Sequence, residues 1–366
     1  MFQSPIFKNR PTRVEISLSN LENNISVIRD HIGNTKIMGI VKANAYGHGL
    51  VEISKQLQTL NIDYLGVAYI EEAIYLRENG ITIPILVLGA IDNSQIDLFL
   101  KHDVDITGSS IEKLEHISNI AKELNIKAKV HLKIDTGMGR IGVQWNRKEE
   151  FIDKAFTLPN IDIVGIFSHF ADSTNDMEYT NEQLSRFNMV LEYIDERYKR
   201  PPLVHFANSG AISNNIHDSF FDMVRPGLIM YGYSCNPDIQ KLLKPVMSFK
   251  TKVAYFKVLD ENQSVGYERT YFTKEMTRIV TMPVGYADGY PKNSGEVYIN
   301  GKRFPVVGRV CMDQTMVDIG SEGESYVGDD VELWGEHISI YGVAEASGRA
   351  TYELMSNVGE RVPRIY

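Results

Sequence analysis

Cysteine is nearly absent from the 366-residue chain, which has only Cys235 and Cys311. A disulfide framework is therefore excluded, and the composition suits a reducing compartment. Basic residues are also in deficit, with 38 Lys and Arg against 47 Asp and Glu, and a formal charge of −9 would repel nucleic acid and anionic membranes. No uncharged apolar run is long enough to cross a bilayer, and the N-terminus has no apolar core followed by a small-residue cleavage site. These absences predict a cytoplasmic protein that binds neither nucleic acid nor membrane, although a domain cut from a membrane-anchored parent would have the same features.

The length of the chain favours two or three domains. Over the first two-thirds, short apolar runs rich in β-branched residues alternate with amphipathic stretches. The runs predict eight strands, at Ile37–Ala43, Leu65–Ala68, Ile85–Gly89, Val104–Thr107, Val130–Asp135, Ile163–Phe170, Leu203–Asn208 and Leu228–Tyr231. The helical patterns between them include Ser19–His31, Ile70–Asn79, Ser110–Leu124 and Glu182–Tyr198. This alternation predicts a (β/α)8 TIM barrel over residues 1–240, with an open doubly wound sheet as the alternative because the fourth strand has a weak pattern.

After about Pro245 the pattern changes to alternating strands. They are predicted at Phe249–Val258, Thr277–Pro283, Val297–Ile299, Arg303–Val307, Met316–Ile319 and Asp330–Leu333. Asn300-Gly301, between two of these runs, is typical of a type I′ hairpin turn. Residues 241–366 are therefore expected to form a separate, mostly antiparallel β domain.

The string VKANAYGHG, residues 41–49, places a lysine at the end of the first predicted barrel strand. Active sites of TIM barrels form at the carboxyl ends of the strands, so Lys42 points to that face. A partly desolvated lysine has a lowered pKa, which makes its amine able to form a Schiff base. Tyr46, four residues later, could reach an anion beside the lysine. Position alone would also fit a lysine that extends to solvent.

The string HLKIDTGMGRIGV, residues 131–143, ends another strand in a glycine-rich loop. His131, Lys133 and Asp135 share one face of that strand by its period of two. The glycines that follow make a loop that presents Arg140, and the fork of a guanidinium matches both oxygens of an amino acid's carboxylate. An isolated arginine in such a turn is otherwise a solvated residue.

Three further strings, IFSHF, HFANSG and VRPGLIMYG, end the sixth, seventh and eighth predicted strands. This region of a TIM barrel is where phosphate sites usually form. The hydroxyl of Ser209 and the backbone N–H groups near Gly227 and Leu228 are candidates to cradle a phosphate. His169 and Arg225 end the same strands, whereas a lone histidine near a strand end is more often a core residue.

The C-terminal part adds the strings SVGYERTY, PVGYADGYP and VVGRVCMDQTMVD, whose tyrosines and Cys311 would by themselves be packing residues. Taken together, the motifs resemble those of the alanine racemase family, in the same order and spacing over essentially the whole chain. The resemblance implies a fold-type III enzyme that binds pyridoxal 5′-phosphate (PLP) through Lys42. It also implies that Lys42 and Tyr267 are the two catalytic bases of L- and D-alanine interconversion, which supplies D-alanine for cell-wall peptidoglycan.

The resemblance gives roles to the remaining motif residues. Arg225 would hydrogen-bond the pyridine nitrogen of the cofactor, with His169 beside it. Arg140 would contact both the phenolic oxygen of the cofactor and the carboxylate of the substrate, and the backbone N–H of Met312 would meet the same carboxylate. Lys133 matches a lysine that is often carbamylated in the family and then holds the arginine in place.

The resemblance further implies a head-to-tail homodimer, in which Tyr267 and Met312 act on the partner subunit's Lys42 and Tyr286 lines the entrance. One departure from the family is Glu360, where some members carry a pocket tyrosine, so a serine racemase or a broad-specificity racemase of the same family is the alternative, with serine the chief competitor of alanine. A decarboxylase of the same architecture is an alternative, but its family places a cysteine–acid pair where Tyr267 stands. A non-enzymatic PLP carrier resembles only the barrel half and has no β domain.

Overall fold

The computed structural model describes residues 9–366. Residues 1–8 lie outside the described residues, and so does that part of the N-terminus in which the sequence predicts no signal peptide. The chain divides into two compact units. Of the described residues, the β unit contains 9–18, Tyr46–Gly49 and Pro245–Tyr366, and the barrel unit contains Ser19–Ala45 and Leu50–Lys244. Within residues 9–366, no helix combines the length and the apolar character needed to span a bilayer.

The strands of the barrel unit are mostly short and buried. The first strand of the chain, β1 (Arg13–Ile16), belongs to the β unit. The barrel unit contains β2 (Lys36–Ile40), β3 (Tyr64–Val67), β4 (Ile85–Val87), β5 (Ile106–Gly108), β6 (Ala128–Asp135), β7 (Val143–Gln144), β8 (Ile161–Phe167), β9 (Leu203–His205) and β10 (Met223–Val224).

Eight of these strands form a closed ring. Parallel pairing gives the orders β10-β2-β3-β4 and β5-β6-β8-β9, and β7 is a short addition to β6. A parallel bridge between Leu86 and Asp105 joins β4 to the chain that enters β5. Between β9 and β10, the backbone N–H of Asp222 donates to the carbonyl of Val204 at 3.1 Å. The predicted TIM barrel is therefore confirmed, and the open sheet is excluded.

The predicted eighth strand, Leu228–Tyr231, is wrong. The eighth strand is β10, and Leu228–Tyr231 is a 3₁₀ helix in which Met230 N donates to Gly227 O at 2.9 Å. Pro226 lacks an N–H and cannot continue a ladder, so the apolar run that follows it turns instead of extending. Three other predicted strands end three residues too late, because β2 stops at Ile40, β8 at Phe167 and β9 at His205.

Helices follow most of the barrel strands. They are α1 (Leu18–Ile32), α2 (Leu50–Thr59), α3 (Ile70–Glu78), α4 (Ile96–Lys101), α5 (Ile111–Glu123), α6 (Lys148–Thr157), α7 (Met177–Arg197), α8 (Ser209–Ser213) and α9 (Pro237–Gln240). The four predicted helices are confirmed, but α7 begins earlier than Glu182. The side chain of Asp176 accepts from Tyr179 N and caps that helix, and α7 then buries Phe187 and Leu191 against the barrel. Each such apolar side chain contributes about 1.5–3 kcal/mol by its burial.

The β unit is built from ten further strands and two helices. These are β11 (Met247–Lys252), β12 (Tyr255–Leu259), β13 (Ser264–Val265), β14 (Tyr271–Phe272), β15 (Thr277–Met282), β16 (Glu296–Ile299), β17 (Lys302–Val307), β18 (Thr315–Asp318), β19 (Asp330–Trp334), β20 (Arg364–Ile365), α10 (Ile340–Ser347) and α11 (Thr351–Ser356). Nine strands form one sheet in the order β12-β15-β18-β17-β16-β19-β11-β1-β20, which is antiparallel except for the β1–β20 pair.

The hairpin predicted at Asn300-Gly301 is confirmed, because both residues have positive φ, 46° and 85°, and join β16 to β17. The single strand predicted at Phe249–Val258 is instead two strands, since Val253 N bonds to Asp329 O and the next residue bonds to β15. The predicted division into residues 1–240 and 241–366 differs from the observed units at the N-terminus and at Tyr46–Gly49, both of which belong to the β unit. At the N-terminus, β1 pairs with β11 of the C-terminal sheet.

Candidate active site

The carboxyl ends of the barrel strands carry most of the predicted site residues. Lys42 lies two residues after β2, His169 lies two residues after β8, and Arg225 directly follows β10. Arg140 lies in the loop between β6 and β7, and Ser209 begins α8 after β9. The barrel therefore brings these side chains to the one end at which TIM-barrel active sites form.

Lys42 is half-buried and is followed by an unusual turn. Burial lowers the pKa of its ammonium group, and the positive charge of Arg140 lowers it further. The residues from Ala43 to Tyr46 all have φ between 52° and 55°, which makes a left-handed turn. The carboxylate of Glu72 accepts a hydrogen bond from Ala43 N at 2.7 Å and another from Ala68 N at 2.8 Å. The lysine thus stands at the start of a constrained backbone with a lowered proton affinity, as a nucleophilic amine requires.

Arg225 is a buried cation whose donors are largely used. One terminal nitrogen donates to Nδ1 of His205 at 2.9 Å and to its carbonyl at 2.8 Å. The other donates to the carbonyl of Ser168 at 2.7 Å and contacts Phe206 O and His169 Nδ1 at 3.1 and 3.2 Å. Among residues 9–366, none accepts a hydrogen bond from Nε, which is the donor left for a ligand. Burial and Arg140 lower the pKa of Arg225 to about 9, so the guanidinium stays charged at neutral pH.

Behind Arg225 runs a buried chain of hydrogen bonds. His205 Nε2 lies 2.9 Å from Nδ1 of His131, and His131 Nε2 lies 3.3 Å from Oδ2 of Asp105. Tyr64 donates its hydroxyl to the same carboxylate oxygen at 3.0 Å. A guanidinium only donates and a carboxylate only accepts, so the direction of every bond is determined. Arg225 donates to His205, His205 to His131 and His131 to Asp105, with both imidazoles carrying their proton on Nε2.

This chain was only partly visible in the sequence. His131 was singled out by its place on the strand face, whereas Tyr64, Asp105 and His205 were not given roles in the site. They come from β3, from the residue before β5 and from β9, which are not neighbours in the ring and whose side chains converge only after the barrel closes. The one signal in the sequence is that polar residues, Tyr64, Asp105 and His205, stand within or beside short apolar strand runs, where a buried polar group needs a partner.

His169 contacts the same arginine from the neighbouring loop. Burial holds the pKa of its imidazole well below 6.5, and the positive charge of Arg225 adds to that effect. Its Nδ1 lies 3.2 Å from the guanidinium and accepts from it. The ring is therefore neutral at physiological pH, with its proton on Nε2.

Lys133 and Arg140 belong to the same strand–loop segment but have opposite exposure. Lys133 is buried, and its Nζ donates to Ile134 O at 2.7 Å and lies 5.2 Å from the centre of the Phe167 ring. Burial, followed by the charge of Arg225, lowers its pKa to about 7. Arg140 is exposed, and within residues 9–366 no group accepts a hydrogen bond from it. An anion at this place would therefore meet the free guanidinium of Arg140 and the amino group of Lys133, whose pKa is about 7.

Ser209 and the segment after β10 converge at the predicted phosphate position. The hydroxyl oxygen of Ser209 accepts from Gly227 N at 2.9 Å and lies 3.4 Å from Ile229 N. Leu228 begins the 3₁₀ helix whose N-terminus points into this cluster. The cluster offers one hydroxyl and several backbone N–H groups within a few residues, the donor set that a phosphate needs.

The other predicted residues lie in the β unit. Tyr267 is 69 % exposed and is held in a strained loop, where Gly266, Glu268 and Arg269 have φ of 77°, 61° and 51°. Glu268 is tied to Arg309 by an ion pair of 2.5 Å. The phenol is thus exposed to solvent on a loop with a strained backbone, and the ion pair between Glu268 and Arg309 helps to hold that loop. Such strain is concentrated at functional sites in proteins.

Met312 and Tyr286 lie in adjacent backbone segments of the β unit. Tyr286 N donates to Cys311 O at 3.1 Å, and the next N–H donates to Met312 O at 3.1 Å. Gly285 makes this approach possible, because a Cβ there would lie 2.3 Å from both carbonyl oxygens. Burial raises the pKa of the Cys311 thiol, which agrees with a packing role. Tyr46 also belongs to this unit, and burial raises the pKa of its phenol to about 12.

Comparison with known proteins gives one family for both parts of the chain. The family models for the alanine racemase N-terminal and C-terminal domains match residues 16–235 and 246–366. An alanine racemase 2 from Caldanaerobacter subterraneus subsp. tengcongensis is 42% identical, over 98% of this chain and 95% of its own length. The solved alanine racemase of Clostridium difficile 630 superposes with a TM-score of 0.91 at 38% identity, covering 97% of this chain and 95% of that one. That of E. faecalis gives 0.90 at 32% identity, with complete coverage of both chains. The chain therefore belongs to the alanine racemase family and is an isomerase of the amino-acid racemase type.

Proposed function

We propose that this racemase uses pyridoxal 5′-phosphate to interconvert L- and D-alanine, and that the D-alanine serves cell-wall peptidoglycan. The observation that carries the proposal is the placement of Lys42. Its amine has a lowered pKa and lies at the same end of the barrel as a free guanidinium, Arg140, and a buried one, Arg225. The named activity of the relatives supplies the substrate, and it favours a racemase over a decarboxylase or a carrier protein.

The residues of the barrel fit this cofactor. Lys42 would hold its aldehyde, Arg225 has one unused donor, Nε, for the ring nitrogen, and Ser209 with the N–H groups of Gly227 and Leu228 would hold the phosphate. Tyr46 belongs to the β unit, and with a pKa of about 12 it remains a neutral hydroxyl donor. Each polar group of the cofactor therefore has a candidate partner of matching chemistry.

When bound, the cofactor supplies an aldehyde that attaches to amines and a ring that withdraws electrons from the α-carbon. Arg225 keeps its proton at neutral pH, so it donates to the ring nitrogen without protonating it. That makes electron withdrawal weaker than it would be opposite a carboxylic acid. Arg225 therefore favours return of the proton to the α-carbon, which is racemisation, over its delivery to the cofactor, which leads to transamination.

Two groups on opposite faces would move the α-proton. With D-alanine, Lys42 would remove the α-proton and Tyr267 would deliver a proton to the opposite face; with L-alanine the two roles would be reversed. Arg140 and the backbone N–H of Met312 would hold the carboxylate of the substrate. We propose that Tyr267 and Met312 reach the partner subunit's Lys42 in a head-to-tail homodimer.

Absorption and a chiral assay test the proposal. Purified protein is expected to be yellow, borohydride is expected to fix the label on Lys42, and L-alanine is expected to give racemic alanine. The Lys42→Ala variant is the control and should neither retain the label nor racemise. Colourless protein that gains no visible band with added PLP would refute the cofactor assignment.

Serine is the second candidate substrate, because Glu360 departs from the tyrosine that some family members carry. Assaying L-alanine and L-serine side by side decides between them. The Glu360→Tyr variant should shift the alanine-to-serine ratio of kcat/KM, and an unchanged ratio would remove Glu360 from the pocket.

A further inference from the structure

One face of helix α7 is turned toward the loops of the site. Tyr179, Gln183 and Arg186 are spaced by four and three residues, so they lie on the same side of the helix. None of them has a role in the proposed chemistry. All three nevertheless end on loops that follow β6 and β8.

Gln183 is fully buried and joins the two loops. Its amide nitrogen donates to Thr136 Oγ1 and to His169 O, each at 3.2 Å, and its amide oxygen accepts from Ala171 N at 2.9 Å. Thr136 is in turn bonded to the hydroxyl of Ser168 at 2.9 Å. Because a buried amide is costly unless its groups are paired, this arrangement fixes both loops relative to the helix.

Tyr179 and Arg186 hold the start of the loop that carries Arg140. The hydroxyl of Tyr179 donates to Gly137 O at 3.0 Å, and the guanidinium of Arg186 donates to Thr136 O at 2.9 Å. Gly137 has φ of 140°, and a Cβ there would lie 2.2 Å from the hydroxyl oxygen of Tyr179. The glycine therefore permits an approach between helix and loop that another residue would block.

Arg186 also contacts the residue that follows β7. Its guanidinium carbon lies 5.6 Å from the ring centre of Trp145, within the range of a cation–π contact. Helix α7 thus holds the loop on both sides of Arg140. Arg140 itself is exposed and bonds to no other residue among 9–366, so its direction depends on the loop backbone.

We propose that Tyr179, Gln183 and Arg186 are positioning residues, which fix the loop that carries Arg140 and so aim its guanidinium at the substrate carboxylate. The inference rests on the proposed function, because it takes Arg140 as the carboxylate clamp. A clamp that binds the carboxylate equally before and during the reaction affects KM and leaves kcat nearly unchanged. Loosening the loop should therefore raise KM for alanine.

The test compares Tyr179→Phe and Gln183→Met with Tyr193→Phe. Tyr193 is a matched control on the same helix, since its hydroxyl bonds to Asp153 at 3.0 Å and not to a site loop. Loss of one hydrogen bond corresponds to roughly a threefold to tenfold change. We expect KM for L-alanine to rise by about that factor in Tyr179→Phe and by at least that factor in Gln183→Met, which loses three hydrogen bonds, with kcat changed less than about twofold. Hydrogen exchange of the segment 135–145 should quicken in both and stay unchanged in Tyr193→Phe.

The outcomes separate the inference from the proposed function. A wild-type protein that does not racemise alanine refutes the proposed function, whereas loop exchange still reports whether α7 holds the segment. An active wild type with unchanged KM in Tyr179→Phe overturns the positioning role, whether or not exchange quickens. If Gln183→Met fails to fold, Tyr179→Phe decides the question alone, because it removes a single oxygen atom.

Discussion

Burial lowers the pKa of the Lys133 amino group to about 7, which is close to physiological pH. With a pKa of about 7, a substantial share of the side chains is unprotonated there, and the free amine can attack the carbon of CO2. That reaction forms an N–C bond, gives a carbamate anion and releases one proton. The product would turn a repulsive neighbourhood, in which Arg225 and Arg140 face an ammonium group, into an attractive one.

We therefore predict that Lys133 is carbamylated. Protein equilibrated with 13C-bicarbonate should show a carbamate carbon signal that weakens as pH falls below about 7 and is absent from Lys133→Ala. The same variant should chiefly raise KM, and added short carboxylates should partly restore activity because they replace the anion. An unchanged KM together with no carbamate signal would leave Lys133 as a buried strand residue.

The neutral histidines of the site predict how stability depends on pH. The pKa values of His169 and His205 are held well below 6.5, by burial first and by Arg225 second. The unfolded chain therefore binds protons near pH 6.5 that the folded chain does not. Their contribution to stability is present above about pH 6.5 and is lost as pH falls below it.

We expect the free energy of unfolding to fall between about pH 6.5 and 5, by up to about 1.4 kcal/mol per pH unit for each of the two histidines. Denaturant titrations at several pH values measure this slope. His205→Gln, whose amide accepts through oxygen and donates through nitrogen, should reduce the slope. His116→Gln, on helix α5, is the control for adding a glutamine. Equal slopes in all three proteins would contradict the account.

At the scale of residues, the family motifs predicted Lys42, Arg140, His169, Ser209 and Arg225 at one end of the barrel, and the structure places them there. The hydrogen-bond chain through Asp105 could not be predicted, and neither could the hydrogen bonds by which Gln183 joins the loops after β6 and β8. Both join residues from different loops or strands, and a single sequence does not contain their proximity.

At the scale of elements, the turn after Lys42 is the largest departure from expectation. The apolar run predicted a strand through Ala43, whereas β2 ends at Ile40 and a left-handed turn follows. Alanine and tyrosine rarely adopt positive φ, so only Asn44 gave any local signal for this conformation. What stabilises it lies elsewhere: Glu72 accepts from the start of the turn, and Asn44 accepts from Leu50 N at 2.7 Å.

The turn predicts an unusual response to glycine. Ala43 is exposed with φ of 54°, a conformation that costs a non-glycine residue about 1–2 kcal/mol. Ala43→Gly should therefore leave the melting temperature unchanged or raise it. Ala346→Gly, at an exposed position of the right-handed helix α10, should lower the stability by about 0.5–1 kcal/mol. Thermal unfolding of the two variants tests the comparison, and equal destabilisation would argue against a strained turn.

At the scale of the whole molecule, alternation of strands and helices was enough to predict the barrel. The sheet of the β unit was predicted only in part. Its β1 strand pairs Val14 with Phe249, and it also lies beside β20 at the other end of the chain. The residues of β1, RVEI, do not indicate which sheet the strand will join, because pairings between residues more than two hundred positions apart depend on the tertiary structure.

The last prediction concerns which chain supplies the second base. Tyr267 belongs to the β unit and Lys42 to the barrel unit, and the family resemblance implies that they meet across two subunits. We expect the variants Lys42→Ala and Tyr267→Ala to be inactive separately. Mixed under conditions that exchange subunits, they should recover activity, because each heterodimer then has one doubly damaged site and one intact site. Racemisation of alanine in the mixture measures the recovery.

If both residues act within one chain, every site in the mixture keeps one lesion and no activity returns. Heterodimers must be shown to be present, for instance by mass spectrometry of differently tagged chains. A mixture of two Lys42→Ala preparations is the control for recovery by refolding alone. Since statistical exchange makes half of the dimers heterodimers with one intact site of two, the expected limit is about one quarter of the wild-type activity. Inactivity despite demonstrated heterodimers would falsify the shared site and assign both bases to one subunit.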